Sequence, residues 1–204
     1  MNGIPFIITG PSGVGKTSII KKVLEKFDDF TFSVSYTTRP KRKGEKEGVD
    51  YYFVSDEKFK ELIKAGELLE WAEVHGYMYG TSSSFVKGKL ENGISVILDI
   101  DVQGALNVLK KIADIVSIFI SPPSFEALKE RLIKRGTEKN EDISRRLSDA
   151  KWELSHLSDF HYVVVNKSIQ QASKSIESII IAEQLKTDRV KDRLGIEELS
   201  IKEK

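Results

Sequence analysis

The stretch Gly10-Pro11-Ser12-Gly13-Val14-Gly15-Lys16-Thr17 sets glycines where a backbone must curl without β-carbon clashes, then an ammonium and a hydroxyl at once. Such a curl aims several N–H groups at one anion, and the spacing G-x-x-x-x-G-K-[ST] is the phosphate-loop pattern. Lys16 supplies a mobile point charge for β- and γ-phosphates, and the Thr17 hydroxyl can sit on Mg²⁺. A turn that binds nothing has no use for a lysine and a hydroxyl directly after its last glycine, so nucleoside triphosphate binding follows. The flanks agree: residues 4–9 (IPFIIT) read as a buried strand, and 18–27 as a helix with Ile19, Ile20, Val23, Leu24 and Phe27 on one side.

Other residues must decide what is done with the nucleotide. Arg39 and Arg42 lie in a charged loop between the hydroxyls of Ser35, Thr37 and Thr38 and the ring of Tyr51. Fork-shaped cations with neutral donors grip a phosphate monoester, although such a run is also what a solvated loop looks like. Glu70 stands among Leu68, Leu69, Trp71 and Ala72. A carboxylate buried there needs donors, which the N1–H and N2–H₂ edge of guanine provides and adenine, with an acceptor at N1, does not. Spacing alone favours the plainer alternative, a Glu facing solvent on an alternating strand. Asp99 closes an apolar strand downstream of the loop, where nucleoside triphosphatases place the acid that orients Mg²⁺ or its waters. Asp101, two residues on, shares its side if the strand continues; either can instead cap the helix near Gln103. Arg131 and Arg135 share a helical face, and Arg145 and Arg146 begin the next helix. They suit a cationic lid over a triphosphate, or surface charge on a helical hairpin.

These residues need positioning elements. Residues 30–36 alternate as one half-buried strand, 51–54 as another, and 55–66 as a helix opened by Ser55. Residues 68–74 and 77–79 can form a hairpin around His75 and Gly76. Helices follow at 83–91, 103–111, 124–135, 141–157 and 169–186, and apolar strands at 94–101, 115–120 and 162–166. Apolar strands alternating with helices indicate a parallel sheet covered on both faces, interrupted by a small, mostly β insertion. The charge-rich residues 187–204 can pack as a helix or fray.

Composition bounds the rest. With 32 basic against 31 acidic residues the net charge is +1, which leaves no global field for nucleic acid or membrane. The absence of cysteine excludes disulfides, thiolate metal sites and a cysteine nucleophile. No charged leader or long apolar run suggests export or a membrane span, so a cytoplasmic protein is expected.

With these residues assembled, the chain closely resembles guanylate kinase, a nucleoside monophosphate kinase of the phosphate-loop superfamily. GPSGVGKTS, SVSYTTRPKRKGEKEGVDYYF, LLEWAEVHGYMYGTS, ILDIDVQG, FISPPS, LKERLIKRGTE and RRLSDAKWEL carry the likeness, in family order, across residues 4–166. The resemblance implies an α/β phosphate-loop fold, with a core of residues 1–33, 83–124 and 160–190, a GMP-binding part at 34–82, a lid at 125–159 and a tail at 191–204. It implies ATP binding by Gly10, Pro11, Ser12, Gly13, Val14, Gly15, Lys16, Thr17 and Ser18, with Asn166 near the adenine. GMP would meet Arg39, Arg42, Tyr51 and Tyr79 through its phosphate, and Ser35, Glu70 and Thr81 through its base, with Asp99 or Asp101 near base or metal. Mg²⁺ is assigned to Thr17 and, through water, Asp99; Lys16, Arg39, Arg131, Arg135 and Arg146 would be catalytic. Lys167 follows Asn166 where the family more often has an acidic residue, and Thr81 stands where some relatives have serine.

The implied reaction is Mg²⁺-dependent phosphoryl transfer from ATP to GMP, and to dGMP, by a monomer or homodimer with no nucleic-acid or membrane partner. Two rivals share the scaffold: a guanylate-kinase-like module that binds protein without catalysis, and a phosphate-loop kinase for another monophosphate.

Overall fold

The computed structural model describes residues 3–74, 76–134 and 140–194. Strand β1 (Pro5–Thr9) is buried along its whole length, as a central parallel strand must be when helices cover both faces. It lies in the middle of a five-stranded sheet whose order is β2 (Phe30–Phe32), β7 (Ser95–Asp99), β1, β8 (Val116–Ser121), β9 (Tyr162–Val165). Every pairing in this sheet is parallel, with Pro5 opposite Val96, Phe6 opposite Val116 and Ile118 opposite Tyr162. All carboxyl ends therefore share one edge, where open α/β sheets bind ligands.

Alternation along β1 feeds two cores. Phe6 and Ile8 pack with Ile19 and Val23 of α1 (Lys16–Leu24) and with Ile176 and Ile180 of α7 (Ile169–Gln184). Ile7 points the other way and joins Val96, Leu98 and the α4 (Val102–Leu109) residues Val102, Ala105 and Val108. Each such side chain stabilises the fold by roughly 1.5–3 kcal/mol, which makes the sheet a stiff platform for whatever stands on its edge.

A second, four-stranded sheet has the order β4 (Tyr52–Phe53), β3 (Tyr36–Thr37), β6 (Tyr77–Ser82), β5 (Leu68–Val74). It is joined by α2 (Asp56–Lys64), capped by the Ser55 hydroxyl, and by α3 (Ser83–Glu91), capped by that of Ser82. Here the expectation of one strand over residues 30–36 is corrected. The run divides between sheets: Ser33 still donates its N–H to Ile97 O at 3.0 Å, but Tyr36 and Thr37 pair with β4 and β6. Alternation specifies which face a side chain takes and not which strand its backbone joins, so the period passes through the break unchanged.

Helices α5 (Phe125–Lys134) and α6 (Asn140–Ser155) pack through Leu128, Leu132 and Ala150, flanked by Phe125 and Leu147. The start of the tail is a packed helix, α8 (Thr187–Leu194), held where Arg189 bonds to Glu183 and to Asp114. Among the described residues no helix is long and apolar enough to cross a membrane.

Candidate functional site

Gly10 leaves β1 at φ 140°, and a β-carbon there would lie 2.2 Å from the Ile120 carbonyl oxygen, so only glycine lets the chain turn this close to β8. The turn ends at Gly15, whose left-handed φ of 98° makes it the N-cap of α1, with no side-chain cap bond. The first N–H groups of a helix have no internal partner, and they stand at the positive end of its dipole. Lys16 Nζ lies over the loop, 2.8 Å from Gly10 O and 3.9 Å from Asp99 Oδ1. Pro11 and Val14 are buried, Ser12 and Gly13 half-buried, and Thr17 and Ser18 exposed on the rim.

Asn166, directly after β9, is buried, and its Nδ2 donates to Val14 O at 2.6 Å across the loop. Arg131 of α5 donates to the Asn166 carbonyl at 3.0 Å. The loop is thus fastened from behind by β9, and β9 in turn by the helical hairpin. Arg146 of α6 is half-buried, and Arg135 lies outside the described residues.

On β5 the structure inverts simple hydrophobicity. Trp71 is 46 % exposed while Glu70 is 4 % exposed, so the solvent-facing alternative for Glu70 is overturned. The pairing of β5 with β6 brings the Thr81 hydroxyl to Glu70 Oε1 at 2.7 Å, after a register irregularity between Leu68 and Glu70. Oε2 lies over Gly104 of α4, where a β-carbon would come within 2.6 Å of it and 2.9 Å of Asp101 Oδ1. Burial pushes the Glu70 carboxyl up to about 7; Thr81 and Lys111 pull it down, and the nearby Asp101 charge pushes it up. Asp101 also caps α4, accepting the Gly104 N–H at 2.6 Å. Of the two roles that its spacing left open, the helix cap is formed, and the same carboxylate lies beside Glu70 over Gly104.

Arg39 is buried, with its guanidinium 5.4 Å from the Tyr51 ring centre and 5.9 Å from that of Phe53. Its Nη2 meets Glu45 Oε1 at 2.7 Å. Arg42 is exposed three residues on. Tyr51 and Tyr79 contact edge to face, with ring centres 5.9 Å apart, and Ser35 is buried on the same stretch as Arg39. Burial, followed by the Asp99 charge, pushes the Tyr51 hydroxyl up to about 12, which keeps it a neutral donor. Glu70 and Asp101 both lie over Gly104, and Lys111 donates to Leu69 O at 2.8 Å, so the second sheet sits against α4 at the carboxyl edge of the first.

Mg²⁺ prefers oxygen ligands and is usually held by one or two carboxylates plus substrate phosphates and water. Thr17 and Asp99, whose carboxylate is 18 % exposed beside Lys16, fit that donor set. No cluster of three or more acidic, histidine or cysteine side chains among the described residues forms an all-protein cage.

A family model described as "Guanylate kinase" matches residues 2–183. The chain belongs to the guanylate kinase family. It is 49 % identical over 202 residues to a protein of Thermotoga maritima named "Guanylate kinase", covering 99 % of this chain and 98 % of that one. One of the same name from Clostridium perfringens is 48 % identical over 192 residues, covering 94 % and 89 %. The crystal structure of guanylate kinase from Anaplasma phagocytophilum superposes with a TM-score of 0.77 at 37 % identity, covering 96 % of this chain and 97 % of that one.

For this guanylate kinase family member, sequence reasoning passed over Glu45 and Glu153. Burial pushes the Glu153 carboxyl of α6 up to about 7, against the pull of the Lys16 charge and of the nearby Ser12 N–H. Seven residues from Arg146, it lies two helical turns along the same face, a signal that the sequence contained. Nothing local distinguished Glu45 from its charged neighbours.

Proposed function

We propose that the protein is an ATP:GMP phosphotransferase, acting in the cytoplasm on GMP and dGMP and forming ADP and the corresponding diphosphate. Family membership supports monophosphate kinase chemistry. The observation that carries the choice of base is the burial of Glu70 beside Asp101, on the edge that bears the phosphate loop. A buried carboxylate with one side-chain donor is matched by the paired N–H groups of guanine and mismatched by adenine.

In this reading Ser35, Glu70, Thr81 and Asp101 meet the base, and Arg39, Arg42, Tyr51 and Tyr79 the phosphate. Residues Gly10 to Ser18 take the triphosphate, with Asn166 beside the loop. The attacking oxygen belongs to a phosphate whose second pKa is about 6, so it is already anionic and no general base is needed. The obstacle is repulsion between two polyanions, and catalysis reduces to alignment and charge neutralisation. Lys16, Arg39, Arg131, Arg135 and Arg146 supply positive charge around the transferred group. Mg²⁺ held by Thr17 and, through water, Asp99 would add neutralising charge on the β- and γ-phosphates. Shutting the site excludes water that would otherwise accept the phosphoryl group.

The test is ADP production from ATP with GMP, dGMP, AMP, UMP or CMP as acceptor. GMP and dGMP are expected to dominate; comparable rates with AMP would overturn the reading, and no turnover with any acceptor would favour a binding module.

A further inference from the structure

We propose that Glu45 is a positioning residue for the phosphate grip, holding the Arg39 guanidinium in the pose that meets the monophosphate. The proposal rests on the reading of this sheet as the GMP site.

Glu45 is fixed by its own turn before it touches Arg39. Its N–H donates to Arg42 O at 3.2 Å, its Oε2 accepts the Arg42 N–H at 2.7 Å, and Gly44 at φ 93° lets the chain reverse between them. The other oxygen, Oε1, reaches Arg39 Nη2 at 2.7 Å. A carboxylate anchored this way is a fixed post rather than a mobile counter-ion. On its far side the guanidinium is closed in by Pro40 O, 2.8 Å from Nη1, and by the Tyr51 and Phe53 rings. A guanidinium has five donors in a planar fork, so donors remain after Glu45 and Pro40 have taken theirs, and those two bonds hold the plane in which the rest are offered. Burial would by itself push the Glu45 carboxyl up, but the bonds from Arg39 and Arg42 outweigh it and hold the group charged.

The arrangement makes a counterintuitive prediction. Glu45 neutralises Arg39, so a Coulomb argument alone says that removing the acid should strengthen binding of a phosphate dianion. If Glu45 supplies geometry, its removal weakens binding, and only for ligands that carry the phosphate.

GMP and guanosine are titrated into wild type, Glu45→Gln and Glu45→Asp, the last drawing the carboxylate back by one methylene, with thermal unfolding measured alongside. Glu45→Gln is expected to weaken GMP at least about tenfold and leave guanosine within about twofold, with Glu45→Asp moving GMP the same way by less. In an Arg39→Ala background Glu45→Gln should have almost no further effect, the mark of two residues acting as a unit. Tighter or unchanged GMP binding, equal losses for GMP and guanosine, or additive losses in the Arg39→Ala background would each overturn the proposal. Should wild type bind guanosine as well as GMP, the GMP-site reading itself fails, whatever the variants do.

Discussion

Thr81 on β6 donates its hydroxyl to Glu70 on β5 at 2.7 Å, and both side chains are buried, at 0 % and 4 % exposure. A cross-strand pair thus places a carboxylate where a strand would ordinarily bury an apolar group, and the base selectivity proposed here follows from it.

Replacing Glu70 by Gln presents an amide whose –NH₂ opposes the guanine donors. The ratio of kcat/KM for GMP over AMP is expected to fall by at least about 10²-fold, since sites that hydrogen-bond a substrate edge reject mismatches by as much as about 10⁴. Steady-state kinetics with both acceptors measure it, and an unchanged ratio means that Glu70 does not read the base.

The raised Glu70 carboxyl fixes the sign of two pH effects. Only the carboxylate offers acceptors to both guanine N–H groups, the protonated form opposing one of them with its own O–H, so affinity for GMP should fall as pH drops below about 7, and GMP binding near that pH should release a proton, visible as a buffer-dependent calorimetric enthalpy. For stability the sign is opposite. The folded protein holds this proton from the ordinary 4.5 up to about 7 while the unfolded chain has lost it, so Glu70 costs stability as pH rises through that window. Unliganded Glu70→Gln should therefore be more stable than wild type at pH 8, by on the order of 3 kcal/mol, and indistinguishable from it near pH 4.

Lys16→Met removes the charge that lies over the phosphate loop. Turnover is expected to fall by on the order of 10³-fold or more with the thermal midpoint little changed, because the ammonium is half-buried and its contacts among the described residues are a loop carbonyl and a neighbouring acid 3.9 Å away. Near-normal turnover would remove Lys16 from the mechanism.

Asn166→Ala deletes the bond to Val14 O and leaves that carbonyl without its side-chain donor. Losing a bond of this kind costs about 1–3 kcal/mol, here expressed as a loosened loop. The KM for ATP should rise about 5- to 100-fold while calorimetric GMP affinity stays unchanged. Equal effects on both nucleotides would point to general unfolding.

Arg189→Ala leaves the Glu183 carboxylate, 1 % exposed, with Lys186 and Tyr162 but without its half-buried guanidinium partner. Denaturant unfolding is expected to show a loss of about 2–3 kcal/mol, with kcat unchanged because this cluster ties α8 to α7 and β9 and lies apart from the loop. Undiminished stability would mean that α8 is an ornament to the fold.

What the sequence determined by itself is what depends on neighbours along the chain. Gly10 through Thr17 are contiguous, so the phosphate loop, its strand and its helix were legible from spacing, as were the cap at Ser55 and the apolar runs that became the parallel sheet. The family resemblance supplied the residues of the proposed acceptor site. Tertiary structure alone decided the rest. Alternation puts Glu70 and Trp71 on opposite faces without saying which is inside, and hydrophobicity would have chosen Trp71; the pairing with Thr81 and the bare backbone of Gly104 settled it the other way. The same periodicity ran through residues 30–36 and hid a change of sheet. Glu45 took its partners from its own turn, Arg42 and Arg39, but which acid of that charged loop would do so depended on how the turn closed; Glu153 met its surroundings only when α6 packed against the loop, because burial is a property of where a side chain ends up.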